Sequence, residues 1–153
     1  MKKLYLISIP FFIYSFILSN EIEKNKILNI MVDHNYDLRD KNHDEIDDYF
    51  YFPFSYNDDN ETKTVANIRE LKKLLKKLNK DLPRDHSHKD WKKMNVKILN
   101  DNIALVNAMY SRIDNNDENY FTGAAMYSFR KVDNVWKIFS ITPFKPYNYF
   151  EFE

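Results

Sequence analysis

Hydrophobic and polar residues between positions 94 and 144 alternate in the way that is typical of β-strands. Met94, Val96 and Ile98 alternate with polar residues, which predicts a strand with one buried face. The run Ile103–Asp114 is apolar on both faces at first, and therefore predicts a strand that is covered on both sides or lies within a sheet. Two further strands are predicted at residues 120–129 and 135–144.

Short polar turns between these strands predict an antiparallel meander. Residues 100–102 and 115–117 consist of Asn and Asp, which tolerate left-handed backbone and bond to their own main chain. Asp133-Asn134 separates two strand-like runs and fits a two-residue hairpin. Gly123 is the single glycine of the chain and falls inside a predicted strand, where it indicates a bulge or bend rather than a phosphate-binding loop.

An amphipathic segment upstream predicts a helix that covers the sheet. Asn20 is suited to cap this helix, because its side chain can accept a hydrogen bond from the first turn. Ile27, Ile30, Met31 and His34 follow at helical spacing and form one apolar stripe. The pattern therefore places His34 on the side of the helix that faces the interior.

Further elements are expected between that helix and the meander. Residues 43–50 predict a second, short helix, and residues 51–54 predict a strand at a sheet edge, because Pro53 lacks the N–H that a central strand needs. Thr64 is suited to cap a longer helix that ends at Lys80. The segment order is thus helices first and sheet second, which is typical of an α+β domain.

The first 19 residues differ in kind from the rest. A short positive start precedes an apolar run at positions 4–18, and Ser19 offers a small residue for cleavage. This pattern predicts a secretory signal peptide at residues 1–19, followed by a single secreted or periplasmic domain at residues 20–153 without stable membrane association. The apolar run is short for a spanning helix, which needs about 20 residues. An uncleaved membrane anchor is the alternative.

Composition narrows the range of functions. Lys+Arg and Asp+Glu both number 23, so no net charge attracts the chain to nucleic acid, and no nucleic-acid partner is expected. The chain contains no cysteine, which excludes disulfides and thiolate nucleophiles. Aromatic residues make up 16% of the sequence, a share that suits a sheet lining a cavity as well as a solid core.

The order of these elements resembles the nuclear transport factor 2-like superfamily, particularly its SnoaL-like bacterial members. The resemblance rests on the segments DEIDDYFYFPF, RDHSHKDWKKMNVKILNDNIALVNAMYSRID and GAAMYSFRKVDNVWKIFSI and covers about residues 21–144. It implies a cone-shaped, cystatin-like α+β fold, in which a curved antiparallel sheet wraps around the N-terminal helices and leaves an apolar pocket. It also implies a homodimer. Members bind, scaffold or catalyse, so the resemblance does not fix an activity.

The leading functional interpretation is binding of a small apolar or amphipathic molecule, or of a partner chain, in this pocket. Arg112, near a strand end, is expected either to pair with an acidic residue on a neighbouring strand or to bind a ligand carboxylate. The residues expected to contact a ligand are Met31, Tyr49, Phe52, Phe54, Trp91, Arg112 and Trp136.

Two other interpretations remain open. A cofactor-free isomerase, cyclase, lyase or hydrolase would use His34 as general base, oriented by Asp33, with Tyr110 or Tyr127 as proton donor. The structural alternative for His34 is a partly buried side chain bonded to backbone. A dimerisation module would instead bury an outer sheet face around Lys97 and Asn107.

His86 and His88 flank Ser87 in a segment that is expected to be a loop. Two histidines could share a metal ion, but a catalytic zinc site typically has about three protein ligands. We therefore predict neither a metal site nor any other cofactor.

Overall fold

The computed structural model describes residues 9–39 and 46–153, which form an α+β fold with one curved, open sheet of six strands. The helices are α1 (Ile9–Arg39), α2 (Ile68–Lys80) and the short 3-10 helices Ile46–Tyr49 and Pro146–Asn148. The strands are β1 (Phe50–Asn57), β2 (Thr62–Val65), β3 (His86–Asn100), β4 (Ile103–Asp114), β5 (Asn119–Val132) and β6 (Val135–Phe144). Their order in the sheet is β2-β1-β6-β5-β4-β3. The predicted fold class is confirmed.

The meander forms largely where the alternation of residues predicts it. Strand β4 has the predicted bounds, and β4 and β5 as well as β5 and β6 pair antiparallel. Asp133 and Asn134 both adopt positive φ, at 50° and 64°, as a two-residue hairpin turn requires. Strand β3 starts at His86 rather than near Met94, so the histidine-containing segment belongs to a strand and its predicted loop is wrong.

Strand β1 lies inside the sheet, which corrects its predicted place at an edge. It pairs parallel with β6 and antiparallel with the edge strand β2. The register with β6 shifts between Phe50 and Ser55, and the pairing with β2 begins at Phe54. Pro53 is tolerated because it falls in this irregular stretch, where its missing N–H is not needed for a ladder bond.

Helix α2 begins later than predicted. Residues 62–65 form strand β2, so Thr64 does not cap the helix. Asn67 does: its Oδ1 accepts a hydrogen bond from the Glu70 backbone N–H at 3.2 Å, and the Glu70 carboxylate accepts one from the Ala66 N–H at 2.9 Å. This reciprocal arrangement satisfies two N–H groups at the start of the helix. The predicted end at Lys80 is confirmed.

Helix α1 runs from Ile9, so the predicted cap at Asn20 is wrong. Its predicted stripe is confirmed, because Ile27, Met31 and His34 are buried. Residues 1–8 of the predicted signal peptide, and residues 43–45 of the predicted short helix, lie outside the described residues. In the two described ranges, no helix is both long and apolar enough to span a membrane.

The inner face of the sheet forms the core together with both helices. Val96 of β3, Val106 of β4 and Tyr127 of β5 are paired across the strands and buried. Gly123 is regularly paired with Tyr110, and the register shift of these two strands lies between Arg112 and Ile113. The expected bulge at Gly123 is therefore wrong. A Cβ there would lie 2.7 Å from Tyr110 Cζ and Oη, so the glycine makes room for the tyrosine ring.

The C-terminal tail, residues 145–153, crosses the outer face of β3 and β4. Asn107 donates a hydrogen bond from Nδ2 to the Phe150 carbonyl, and the Phe152 N–H donates to Asn95 Oδ1 at 2.9 Å. Lys97 Nζ donates to the Glu153 carbonyl. The polar outer face around Lys97 and Asn107, which was a candidate dimer surface, is thus covered by the chain's own tail.

Candidate functional site

A cavity of about 470 Å³ lies between the two helices and the inner face of the sheet. Its volume falls within the roughly 300–1,000 Å³ of small-molecule sites. The apolar part of the wall consists of Phe50, Phe54, Leu71, Leu74, Leu75, Leu78, Leu82, Ala125, Ile141 and Pro143. The polar and aromatic part consists of His34, Asn35, Tyr56, Asn79, His86, Ser87, His88, Lys89, Tyr110, Arg112 and Tyr127. No carboxylate of the described residues borders the cavity.

Helix α2 supplies one apolar wall because its leucines repeat at helical spacing. Leu71, Leu74, Leu75 and Leu78 all border the cavity. This i, i+3, i+4, i+7 pattern places the four side chains on one face of the helix. The lysines of the same helix occupy the opposite, solvated face, as the amphipathic pattern predicts.

A bulge in β3 brings Lys89 to the cavity. The pairing of β3 with β4 shifts between Trp91 and Lys93, so the inward positions change from Met94 to Trp91 and Lys89. Lys89 is directly opposite Arg112 on β4. Its Nζ lies 4.0 Å from the ring centroid of Trp91 and 5.4 Å from that of Tyr110.

The Lys89 amine forms no ion pair with a carboxylate of the described residues. Burial, and secondarily the charge of Arg112, lower its pKa from about 10.5 to about 7. The aromatic faces favour the ammonium form, but they do not outweigh the lost hydration. Close to neutral pH, Lys89 is therefore present in both protonation states.

Arg112 borders the cavity and has no carboxylate partner among the described residues, so the alternative of a pair with a neighbouring acidic residue is wrong. Its guanidinium carbon lies 4.8 Å from the ring centroid of Phe121 and 5.9 Å from that of Tyr110. Stacking on rings leaves the edge of a guanidinium able to donate hydrogen bonds, one of which goes to the Tyr110 hydroxyl. Arg112 can thus present two parallel donors to an anion.

His34 is 3% exposed, borders the cavity, and has no hydrogen-bond partner at either ring nitrogen among the described residues. Its ring packs edge-on against Tyr49 and Phe50, with centroids 5.7 and 5.4 Å apart. Burial, with a smaller effect of the Lys89 charge, lowers the pKa of His34 to about 3. Asp33 is exposed and forms no hydrogen bond with the ring, so its predicted orienting role is wrong.

Tyr110 and Tyr127 border the same cavity as His34. The structure thus brings the predicted base and both predicted proton donors to one space. Burial raises the pKa of both phenols, with Arg112 acting in the opposite direction, so both hydroxyls stay protonated at neutral pH. Trp91 packs edge-on against both rings, with centroids 6.2 and 5.9 Å away.

His86, Ser87 and His88 lie in the part of the cavity wall that follows α2. His86 Nδ1 is 2.7 Å from the Tyr120 hydroxyl, and His88 Nδ1 is 3.0 Å from Ser87 Oγ. His88 Nε2 also lies 3.4 Å from Asp90 Oδ1. Among residues 9–39 and 46–153, no three side chains of the types that ligate metals come together.

Five residues that the sequence assigned to the pocket do not border it. Met31 is buried in the core, and Trp91 Nε1 donates to its carbonyl at 3.1 Å. Tyr49 donates to Asp37 Oδ2 at 2.5 Å, and Phe52 packs on the outside of the core cluster. Trp136 donates to Glu23 Oε2 at 2.7 Å, away from the cavity. Only Phe54 and Arg112 of the seven predicted contacts are part of the wall.

Sequence reasoning missed Lys89 and the leucines of α2 as cavity residues. The leucines repeat at helical spacing in the sequence, but such a stripe does not tell whether it faces side chains or a void. Lys89 carried no signal, because counting back by two from Met94 places Lys92 and Asp90 inward. The bulge reverses that assignment.

The sequence of this chain matches that of a known protein family. The family described as "NTF2-like protein (DUF6841)" matches residues 29–146, which include the whole sheet and both helices in part or in full. No curated protein sequence matches the chain significantly.

Solved structures share the fold at low sequence identity. A protein of unknown function with a cystatin-like fold from Nostoc punctiforme is 11% identical, with a TM-score of 0.67 over 80% of this chain and 90% of that one. A putative scytalone dehydratase from Novosphingobium aromaticivorans is 19% identical, with a TM-score of 0.58 over 81% and 84%. The hexachlorocyclohexane dehydrochlorinase LinA-type3 from Novosphingobium barchaimii is 11% identical, with a TM-score of 0.66 over 89% and 97%.

Proposed function

Because the chain belongs to the NTF2-like protein family, whose fold surrounds a cavity here, we propose that it binds a small amphipathic molecule with an anionic head group. The apolar end of the ligand would contact the leucines of α2 together with Phe50 and Phe54. The anionic end would contact Arg112, and Lys89 when protonated. If the signal peptide predicted at residues 1–19 is cleaved, binding takes place outside the cytoplasm.

One observation carries this proposal. Arg112 and, when it is protonated, Lys89 bring positive charge to the cavity wall, and no carboxylate of the described residues neutralises them. An unpaired charge in a low-dielectric site is unfavourable, and an anion that enters the cavity relieves this penalty. A bidentate guanidinium–carboxylate contact adds geometric preference to the attraction of charge.

Calorimetric titration with octanoate, 1-octanol and octylamine tests the charge preference at constant chain length. We expect octanoate to bind best and octylamine to show no binding, because the cavity already carries positive charge. Replacement of Arg112 by Met should weaken octanoate binding about tenfold, as expected for the loss of a charge-assisted hydrogen bond.

Arg130→Met is the matched control for Arg112→Met. Arg130 also stacks on aromatic rings, those of Tyr51 and Phe139 at 5.7 and 5.6 Å, but it does not border the cavity. Its replacement should leave octanoate affinity unchanged. Equal affinity for octanoate and octylamine, or equal effects of the two arginine variants, would refute the proposal.

A second candidate function, general acid–base catalysis, is favoured by His34. Its buried imidazole has no hydrogen-bond partner among the described residues at either nitrogen, and Tyr110 and Tyr127 border the same cavity. A neutral imidazole is a base, and the phenol of Tyr127 is a proton donor. The dehydratase and dehydrochlorinase named among the structural neighbours use the same fold, which supports a catalytic reading of this geometry.

Exchange of the α-protons of 2-octanone in deuterium oxide, followed by proton NMR, tests this candidate. We expect exchange above the buffer rate with the unmodified protein and only the buffer rate with His34→Phe. The rate should not change with His34 protonation between pH 5 and 8, because the pKa of His34 is about 3. His86→Phe, at the cavity wall, is the control. Exchange that persists in His34→Phe would exclude His34 as the base.

A further inference from the structure

Lys89 and Arg112 are direct cross-strand partners on the inner face of the sheet. Side chains at such positions start about 4.5–5.5 Å apart and extend to the same side. Both side chains border the cavity, and neither is paired with a carboxylate of the described residues. The wall therefore presents an amine and a guanidinium next to each other.

We propose that this pair captures an amphipathic 2-oxo acid, with the carboxylate on Arg112 and the keto carbon bonded to Lys89 as an imine. The inference rests on the proposed binding of an anionic amphipath in the same cavity and specifies its chemistry. A 2-oxo acid carries its carbonyl directly next to its carboxylate, which matches two functional groups placed side by side. The apolar chain of the acid would extend toward the α2 leucines.

The surroundings of Lys89 support an amine that reacts. An amine is a nucleophile only when it is unprotonated, and burial together with the Arg112 charge lowers the pKa of Lys89 to about 7. The Trp91 and Tyr110 rings flank the Nζ at 4.0 and 5.4 Å, so they limit its position without forming a strong hydrogen bond to it. The neighbouring Tyr110 hydroxyl, whose pKa is raised by burial, can donate a proton.

The step balances without a further reactant. The unshared pair of Nζ attacks the keto carbon, the C=O π electrons move to oxygen, and a proton passes from nitrogen to that oxygen to give a carbinolamine. Loss of the hydroxyl as water, with a proton taken from nitrogen, leaves the C=N bond of the imine. One water molecule is released for each bond formed, and no electrons are gained or lost.

Reductive trapping tests the inference. The full-length chain is incubated with 2-oxooctanoate and cyanoborohydride at pH 8, where most of Lys89 is unprotonated, and is then analysed by intact-mass and tryptic-peptide mass spectrometry. We expect one adduct, located at Lys89, whose modification also blocks tryptic cleavage there. The yield should fall about tenfold in Arg112→Met and with 2-octanone, which lacks the carboxylate.

Lys89→Met and Lys92→Met form a matched pair of variants on one strand. Lys92 is exposed within the bulge of β3, so its replacement should leave the adduct intact, whereas Lys89→Met should abolish it. Peptide mapping of the unmodified protein locates the adduct independently of whether a variant folds. Label spread evenly over surface lysines, or equal labelling of both variants, would overturn the inference.

Octanoate titration separates the two proposals. If octanoate binds but 2-oxooctanoate leaves no adduct on Lys89, imine formation is refuted while anion binding stands. If neither compound binds, both proposals fail. Octanoate binding together with a Lys89 adduct supports both.

Discussion

The buried side chain of His34 lowers the free energy of unfolding. A buried donor or acceptor without a partner costs about 1–3 kcal/mol. His34→Phe keeps a ring of similar shape against Tyr49 and Phe50 while removing both unpaired nitrogens. We expect the free energy of unfolding to rise by about 1 kcal/mol at pH 7, as measured by urea denaturation. His88→Phe is the control: the His88 ring nitrogens contact Ser87 and Asp90, so its replacement should not raise the free energy of unfolding.

His34 also makes stability depend on pH. In the unfolded chain its pKa is near 6.5, whereas in the folded protein it is about 3. Between these values the unfolded state binds more protons, so stability falls as the pH decreases through this window. From pH 6.5 to 5 the loss should be about 2 kcal/mol. Urea unfolding at each pH should show this slope in the unmodified protein, and its persistence in His34→Phe would show that another group causes it.

Gly123 matters through the space that it leaves for Tyr110. Alanine is ordinarily tolerated in a strand, but here its Cβ would lie 2.7 Å from Tyr110 Oη and from a ring carbon of Phe121. Both are the outer ends of side chains that can move, so Gly123→Ala should destabilise the protein at the low end of overpacking, by about 1 kcal/mol. In a Tyr110→Leu background the loss should be smaller, because only the close approach to Phe121 remains, and an equal loss in both backgrounds would contradict a steric role of Tyr110.

Glu23 joins two secondary-structure elements, α1 and the β5–β6 hairpin. Its carboxylate accepts hydrogen bonds from Trp136 Nε1 at 2.7 Å and from Lys131 Nζ at 2.5 Å. The bond from Lys131, followed by that from Lys26, lowers the pKa of Glu23 from 4.5 to about 2. The charged carboxylate therefore stabilises the fold above about pH 4.5, and this contribution is lost as the pH falls toward 2.

We expect Glu23→Gln to lower the free energy of unfolding by about 1 kcal/mol at pH 7, since partial solvent contact weakens the charge interaction. The difference from the unmodified protein should shrink as the pH falls below about 4.5 and be small near pH 2, where about half of Glu23 is protonated in the folded protein. Glu21→Gln is the control, because Glu21 pairs with Lys24 on the exposed side of the same helix. Equal effects of the two variants in thermal denaturation would show that Trp136 and Lys131 do not depend on this carboxylate.

At the level of elements, sequence alternation predicts strands well where each strand has two chemically different faces. Strand β4 and the Asp133-Asn134 hairpin form as predicted for this reason. Strand β2 is short and polar, and its pairing with β1 comes from the tertiary fold, so the sequence favoured a helix cap at Thr64 instead. The bulge in β3 has no local sequence mark, and it decides whether Lys89 or Asp90 faces the cavity.

At the scale of the whole molecule, the order of elements predicts an α+β fold, since sheet and helices have few ways to bury their apolar faces together. The cone shape was implied by the resemblance to the nuclear transport factor 2-like superfamily. The residues that line the cavity were predicted less well. Trp136 is buried in the core, and Trp91 packs against the core and donates a hydrogen bond to the Met31 carbonyl. Their place was missed because nothing in a sequence distinguishes a ring that packs from a ring that borders a void. The parallel pairing of β1 with β6 depends on contacts distant in sequence and was also missed.

The tail at residues 145–153 covers an outer sheet face that would otherwise be free to pair with a second copy. We expect a chain lacking residues 149–153 to self-associate about tenfold more tightly than the full chain in sedimentation equilibrium, because a tethered segment competes at high effective concentration. Phe150→Ala with Phe152→Ala should shift the equilibrium in the same direction, since both rings pack together on that face. Equal association of the full and shortened chains would show that the tail does not compete for this surface.

The unequal attachment of the two helices gives the cavity one stiff side and one compliant side. Two hydrogen bonds fasten α1 to β3, from Trp91 Nε1 to the Met31 carbonyl and from Asn35 Nδ2 to the Lys89 carbonyl. Helix α2 meets the cavity through leucines, whose contacts are non-directional and allow sliding. Outward displacement of α2 would therefore make room for a ligand with a longer apolar chain. The cavity would select ligands by their head group and discriminate weakly between chain lengths.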